Sequence, residues 1–120
     1  MYRKVAASEL AKFLSLISHP ERILIIEELS HGELDVSGLQ ERLKISQATT
    51  SRHLSLLKAQ NVVIERKEGR RVYYHLAVPL LSHWLISGLD IISKKAVQEK
   101  PLNKAFSVAK KLWTSKSGPA

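Results

Sequence analysis

Ile45-Ser46-Gln47-Ala48-Thr49-Thr50-Ser51-Arg52-His53-Leu54-Ser55-Leu56-Leu57 is the stretch on which the reading of this 120-residue chain turns. Ser46 has the side chain that caps a helix start, and the run behind it holds no proline or glycine until past Gln60. At about 100° per residue, Gln47, Ala48, Ser51, Arg52 and Ser55 gather on one arc of such a helix, and Thr50, His53, Leu54 and Leu57 on the other. The first face is small and polar with two strong donors. Glutamine pairs bidentately with adenine and arginine with guanine, serine meets base or phosphate, and alanine meets a thymine methyl. The same pattern also suits an ordinary solvated face, so this helix alone leaves both readings open. His53, beside Thr50 and Leu57, reads as a packed or hydrogen-bonded histidine more readily than as a base contact.

The flanking sequence shifts that balance. Val62 to Lys67 and Arg71 to Ala77 are rich in β-branched and aromatic residues around Glu68-Gly69-Arg70, which predicts a hairpin. Lys67, Arg70 and Arg71 surround its tip, as phosphate or minor-groove contact requires, although Glu65 and Glu68 mix the sign.

Upstream, Leu10, Phe13, Leu14 and Ile17 recur at helical spacing, predicting a helix over residues 6–17 that ends before His19-Pro20. Pro20 suits the first turn of a second helix, with Ile23, Leu24, Ile26 and Leu29 facing the core and Gly32 as its stop. Asp35, or Ser37 in a capping box with Gln40, opens a short third helix ending near Leu43. Downstream, Pro79 opens a fifth helix carrying Leu81, Trp84, Leu85, Gly88 and Ile92 on one face and reaching about Val97. Pro101 begins a sixth, on which Leu102, Ala105, Phe106, Ala109, Leu112 and Trp113 repeat at three and four. The fold class is therefore mainly α with a small β-hairpin, a winged helix-turn-helix with an extra C-terminal helix. Residues 1–97 are expected to make the DNA-binding domain, and residues 98–120 a basic helical extension with a disordered end at 115–120.

Nineteen Lys and Arg against eleven Asp and Glu give a net charge of +8, which favours a polyanionic partner. Seven of the lysines and only one acid lie in residues 94–120, so the excess sits in the extension. Cysteine is absent, which removes disulfides, thiolate metal ligands and thiol redox sensing. Glu9 and Lys12 interrupt any apolar leader, and no run approaches the roughly 20 apolar residues of a membrane span, so the expected location is the cytoplasm. Paired catalytic carboxylates, a Gly-rich phosphate loop, G-x-S-x-G and H-E-x-x-H are all missing, so an enzyme is not expected.

Four segments in this order resemble the ArsR/SmtB family of bacterial winged-helix repressors over about residues 8–93. They are Ser18-His19-Pro20-Glu21-Arg22-Ile23, Glu33-Leu34-Asp35-Val36, Ser46 to Leu54, and Lys67-Glu68-Gly69-Arg70-Arg71-Val72-Tyr73-Tyr74. The resemblance implies that Gln47, Ala48, Ser51 and Arg52 meet the major groove, and that Thr50, where relatives usually carry valine or isoleucine, faces the core. It also implies homodimers paired through the first and last helices, for which Leu10, Phe13, Trp84, Leu85 and Ile92 are the candidates; intramolecular packing is the competing use of those side chains.

The resemblance implies that many relatives release DNA when metal, arsenite or an oxidant reaches cysteines at the start of the third helix, in an E-L-C-V-C-like motif. Here Asp35 and Ser37 stand at the sulfur positions and supply no soft ligand. Val78, Leu80, Ile91 and Lys94 fall at the family's second metal site, and none is a good ligand. His83 and Asp90 lie seven apart without partners at ligand spacing. No metal or cofactor is expected, and the effector stays open. The expected partners are double-stranded DNA and a second copy of the chain, with no membrane. The expected function is a sequence-specific, homodimeric repressor on an inverted repeat. Two alternatives are a general DNA-binding or chromosome-organising protein and a winged-helix module used for protein contacts.

Overall fold

A computed structural model describes residues 1–95 and 100–115. Helix α1 (Tyr2–Ile17) is followed by α2 (Pro20–Ser30), the short strand β1 (Leu34–Asp35), α3 (Val36–Leu43) and α4 (Gln47–Ala59). Strands β2 (Val63–Glu68) and β3 (Arg71–Leu76), then α5 (Leu81–Lys95) and α6 (Lys100–Thr114), complete the order.

Each early boundary has a local cause. His19 is extended, at φ −128° and ψ 128°, as a residue before proline must be, and Pro20 takes the first turn of α2. Asp35 caps α3 by accepting a hydrogen bond of 2.8 Å from the Gly38 amide, so the alternative box between Ser37 and Gln40 is not used. Lys44 then enters the left-handed region at φ 57°, turning the chain between α3 and α4. Ser46 Oγ accepts from the Thr49 amide at 3.1 Å and starts α4. Gly69, at φ 61°, leads the two-residue turn between β2 and β3, a position that favours glycine because it demands positive φ.

Four expectations need correction. Helix α1 begins at Tyr2 rather than near residue 6, because Tyr2-Arg3-Lys4-Val5 contains nothing that stops a helix. Its stripe is also less buried than expected. Ile17 alone is fully buried there, while Leu10 and Leu14 stay about half exposed.

In α2 the buried set is Arg22, Ile25, Ile26 and Leu29, spaced i, i+3, i+4 and i+7, together with Glu27. Leu24 is exposed and Ile23 only half-buried. The stripe starts on a charged residue, which hides its phase from a search for apolar positions. Strand β1 is the third departure. Leu34 pairs with Tyr74 and Asp35 with Tyr73, giving a three-stranded antiparallel sheet in the order β1-β3-β2 rather than a bare hairpin.

The fourth concerns α6, which starts at Lys100, one residue before the expected Pro101. It packs on α5 with Phe106, Ala109 and Trp113 half-buried, while Leu102, Ala105 and Leu112 are exposed. The expected end of α5 near Val97 and the expected disorder from Lys116 to Ala120 lie outside the described residues.

The core is formed by Ile17, Ile25, Ile26, Leu29, Leu39, Leu54, Leu57, Val62, Val63 and Leu76. It lies among α2, α3, α4 and the sheet, with α2 also touching α1 and α5. Burying the inner side of α4 in this core leaves its other side outward. Among the described residues, no helix is long and apolar enough to cross a membrane.

Candidate nucleic-acid interface

On α4 the two arcs separate by burial. Thr50, His53, Leu54 and Leu57 are buried, whereas Gln47, Ala48, Arg52 and Ser55 are exposed and Ser51 is half-exposed. Thr50 reconciles its hydroxyl with full burial by donating to the Ser46 carbonyl at 2.8 Å. Arg52 makes no ion pair or side-chain hydrogen bond among the described residues, so all five guanidinium donors remain available. The outer face thus presents a glutamine at the helix start and an arginine between one and two turns further on, with nothing bulkier than Ala48 and Ser51 between them on that face. That shape and donor set suit a helix lying in a major groove.

The hairpin carries charge unevenly. Arg66 is held on three sides: Nε and Nη2 donate to Glu33, the latter at 2.7 Å, Nη1 donates to Glu68 at 2.7 Å, and the guanidinium lies 4.9 Å from the centre of the Tyr73 ring. These bonds pull the Glu33 carboxyl below its ordinary range, with the Arg66 hydrogen bonds as the main cause. Lys58 and Glu65 pair at 2.9 Å, which lowers the Glu65 carboxyl and raises the Lys58 ammonium.

Arg71 approaches Asp35 at only 3.5 Å and is 72% exposed on its side chain. Lys67 and Arg70 are exposed and enter no ion pair among the described residues. The cations left available at the tip are therefore Lys67, Arg70 and, loosely, Arg71, the three that the sequence singles out. The engagement of Arg66 was not legible, because Glu33 lies 33 residues away.

His53 is buried and doubly bonded. Arg22 Nε donates to its Nδ1 at 3.0 Å, and its Nε2 lies 3.1 Å from Glu21 Oε1. The expectation of a hydrogen-bonded histidine agrees with this. Arg22 as its partner was missed, although Arg22 opens the buried stripe of α2.

The surface along α1 and α5 is apolar. Leu10, Trp84 and Ile92 are each nearly half exposed, Phe13 meets Trp84 in a tilted contact with ring centres 5.7 Å apart, and Leu85 packs partly on the core. Of the five dimer candidates, Phe13 and Leu85 are thus partly used inside their own chain. Leu10, Phe13, Val62, Leu80, Leu81 and Trp84 line an open groove of about 400 Å³. Between α1, α2, α5 and α6, Leu14, Ile23, Trp84, Ile92 and Trp113 line another of about 360 Å³.

Asp90 pairs with Lys110 at 2.8 Å and His83 is exposed. Among the described residues, no group of three or more histidines or carboxylates is arranged to hold a metal ion.

Residues 19–65 match the family described as bacterial regulatory protein, arsR family. The nodulation protein NolR of Rhizobium meliloti is 37% identical over 94 residues, 77% of this chain and 77% of its own length. The biofilm growth-associated repressor of Agrobacterium fabrum is 35% identical over 71 residues, 59% of this chain and 61% of its own length, so this chain spans under two thirds of that relative. The crystal structure of NolR from Sinorhizobium fredii superposes with a TM-score of 0.68 at 32% identity, covering 75% of this chain and 90% of that one. Its order of elements, its exposed capped helix with a basic wing and these relatives agree: the chain belongs to the arsR family of bacterial regulatory proteins, and is a winged-helix DNA-binding transcriptional regulator rather than an enzyme.

Proposed function

We propose that the protein acts in the cytoplasm as a homodimeric repressor that occupies a short inverted repeat and blocks promoter access. The observation that carries this reading is the clean division of α4. One side is sealed into the core by Thr50, Leu54 and Leu57, and the other offers Gln47, Ala48, Ser51 and Arg52, with no partner for Arg52 among the described residues. In this reading α4 lies in the major groove, with Gln47 and Arg52 reading base edges and Ser51 and Ala48 allowing close approach. Lys67, Arg70 and Arg71 on the wing meet phosphate or the adjacent minor groove.

Two copies join through Leu10, Phe13, Trp84, Leu85 and Ile92, placing two α4 helices about 34 Å apart, one DNA turn. The similarity to the biofilm growth-associated repressor of Agrobacterium fabrum supports a repressor role. Residues 1–97 supply both functions, and residues 98–120 form the basic extension.

The test is recovery of genomic fragments by the purified protein, followed by sequencing. A shared inverted repeat that is lost with Gln47→Ala and Arg52→Ala supports the repressor. Uniform recovery, unaffected by both substitutions, makes it a general DNA binder, and no recovery at low salt makes it a protein-contact module.

A further inference from the structure

Among the buried polar groups of the described residues, the link between Arg22 and His53 is the one that ties the DNA-reading helix to the rest of the chain by directional bonds. Arg22 is 9% exposed and His53 4%. Arg22 Nη1 donates at 2.7 Å to the carbonyl of Leu16, in the last turn of α1 where carbonyls lack helical partners, and its Nε donates at 3.0 Å to His53 Nδ1. A guanidinium has donors only, so Nδ1 must present its lone pair. The ring proton therefore sits on Nε2 and donates to Glu21 at 3.1 Å. The chain of bonds from α1 through α2 to α4 exists only with a neutral imidazole.

We propose that His53 is a positioning residue whose neutral form holds the groove face of α4 in place, so that mild acid releases the protein from DNA. The proposal rests on α4 being the DNA-reading element. Thr50, Leu54 and Leu57 hold α4 by packing, which tolerates rotation and sliding; the bond at His53, next to Arg52 in the chain, sets the angle at which Arg52 and Ser51 face outward.

Adding a proton to Nδ1 would set one N–H against another at the present 3.0 Å and bring two cations together, so the contact must open. The charged and titratable groups facing this ring are Arg22 and Glu21 of α2 and His19 just before it, whose ring centre lies 6.2 Å away. From α1, Glu9 and Lys12, paired at 3.2 Å, line the cleft that also contains His19 and Arg22.

The test compares the wild type with His53→Gln and His53→Phe. Glutamine can accept from Arg22 and donate to Glu21 but does not titrate; phenylalanine fills the space and leaves the Arg22 Nε without its acceptor. Affinity for the recovered repeat is measured from about pH 7.5 to about pH 5.5, the range in which imidazoles change charge. Amide-exchange protection in α4, corrected for intrinsic rates, is followed over the same range without DNA.

The expected result is a wild-type loss of about tenfold in affinity with a matching loss of α4 protection. His53→Gln should bind within about threefold of wild type at neutral pH and stay flat, and His53→Phe should be weak throughout. Coincident pH profiles for wild type and His53→Gln, in binding and in exchange, overturn the proposal. If no repeat is bound but α4 protection in the wild type alone still falls in acid, the DNA reading fails and the anchor stands.

Discussion

The two sides of the molecule are finished to different degrees. Around α2, α3, α4 and the sheet, the buried apolar side chains join in one core cluster, and each buried polar group on α4 has a hydrogen-bond partner. Along α1, α5 and α6, Leu10, Leu14, Trp84, Ile91, Ile92 and Leu112 remain between 45% and 63% exposed. A side that closes on itself specifies one structure alone. One that leaves this much apolar surface open specifies an assembly, and in the proposed repressor a second copy covers it.

The contrast breaks most severely if the open side is made charged. Trp84→Glu combined with Ile92→Glu should give monomers by light scattering and weaken operator binding by about 100-fold or more, since each monomer then binds a half-site singly. Retention of the dimer would place the interface elsewhere.

The closed side should respond in stability instead. Leu57→Ala, at a fully buried position, is expected to destabilise the fold by about 2–5 kcal/mol in urea titration. A loss below about 1 kcal/mol would mean that this side is not tightly packed.

Smaller effects sharpen the division within the reading surface. Arg52→Ala should lose about 1–3 kcal/mol of binding and relax the preference at one base position, with Tm unchanged. By contrast, Lys67→Ala and Arg70→Ala should weaken all duplexes alike and each reduce the salt slope by about one.

The smallest effect lies where α2 meets the open side. Burial pushes the Glu27 carboxyl above its ordinary range, more than its hydrogen bond to His31 lowers it. A raised folded value means that the protonated form is favoured by folding, a contribution present in acid and lost as pH rises through that value. Glu27→Gln should therefore raise Tm slightly near neutral pH and lose its advantage in acid; an unchanged difference across pH would refute that assignment.

Legibility in the sequence follows the range of the interaction. Ser46, Asp35, Pro20 and Gly69 act within three or four residues, and the elements they start or turn were readable. The outward set on α4 was readable because helical periodicity alone separates it from Thr50, Leu54 and Leu57. What escaped depends on distant partners. Strand β1 exists because Leu34 and Asp35 meet Tyr74 and Tyr73, and Arg66 is neutralised by Glu33 on that same approach. The phase of α2 escaped because its buried stripe begins with Arg22, whose partners lie on α1 and α4.

Asp35 shows how little freedom one position can retain. Its carboxylate caps α3, its backbone belongs to β1, its Oδ2 lies 3.5 Å from Arg71 of the wing, and its Oδ1 would crowd any side chain at Gly38 to 3.1 Å. It also stands where the resemblance puts a sensor thiol in other family members. Engineering a cysteine there to make this regulator respond to metal would remove the cap and the wing contact together. A designer would first need to stabilise α3 by other means, so responsiveness at this corner is an architectural property rather than a single-residue choice.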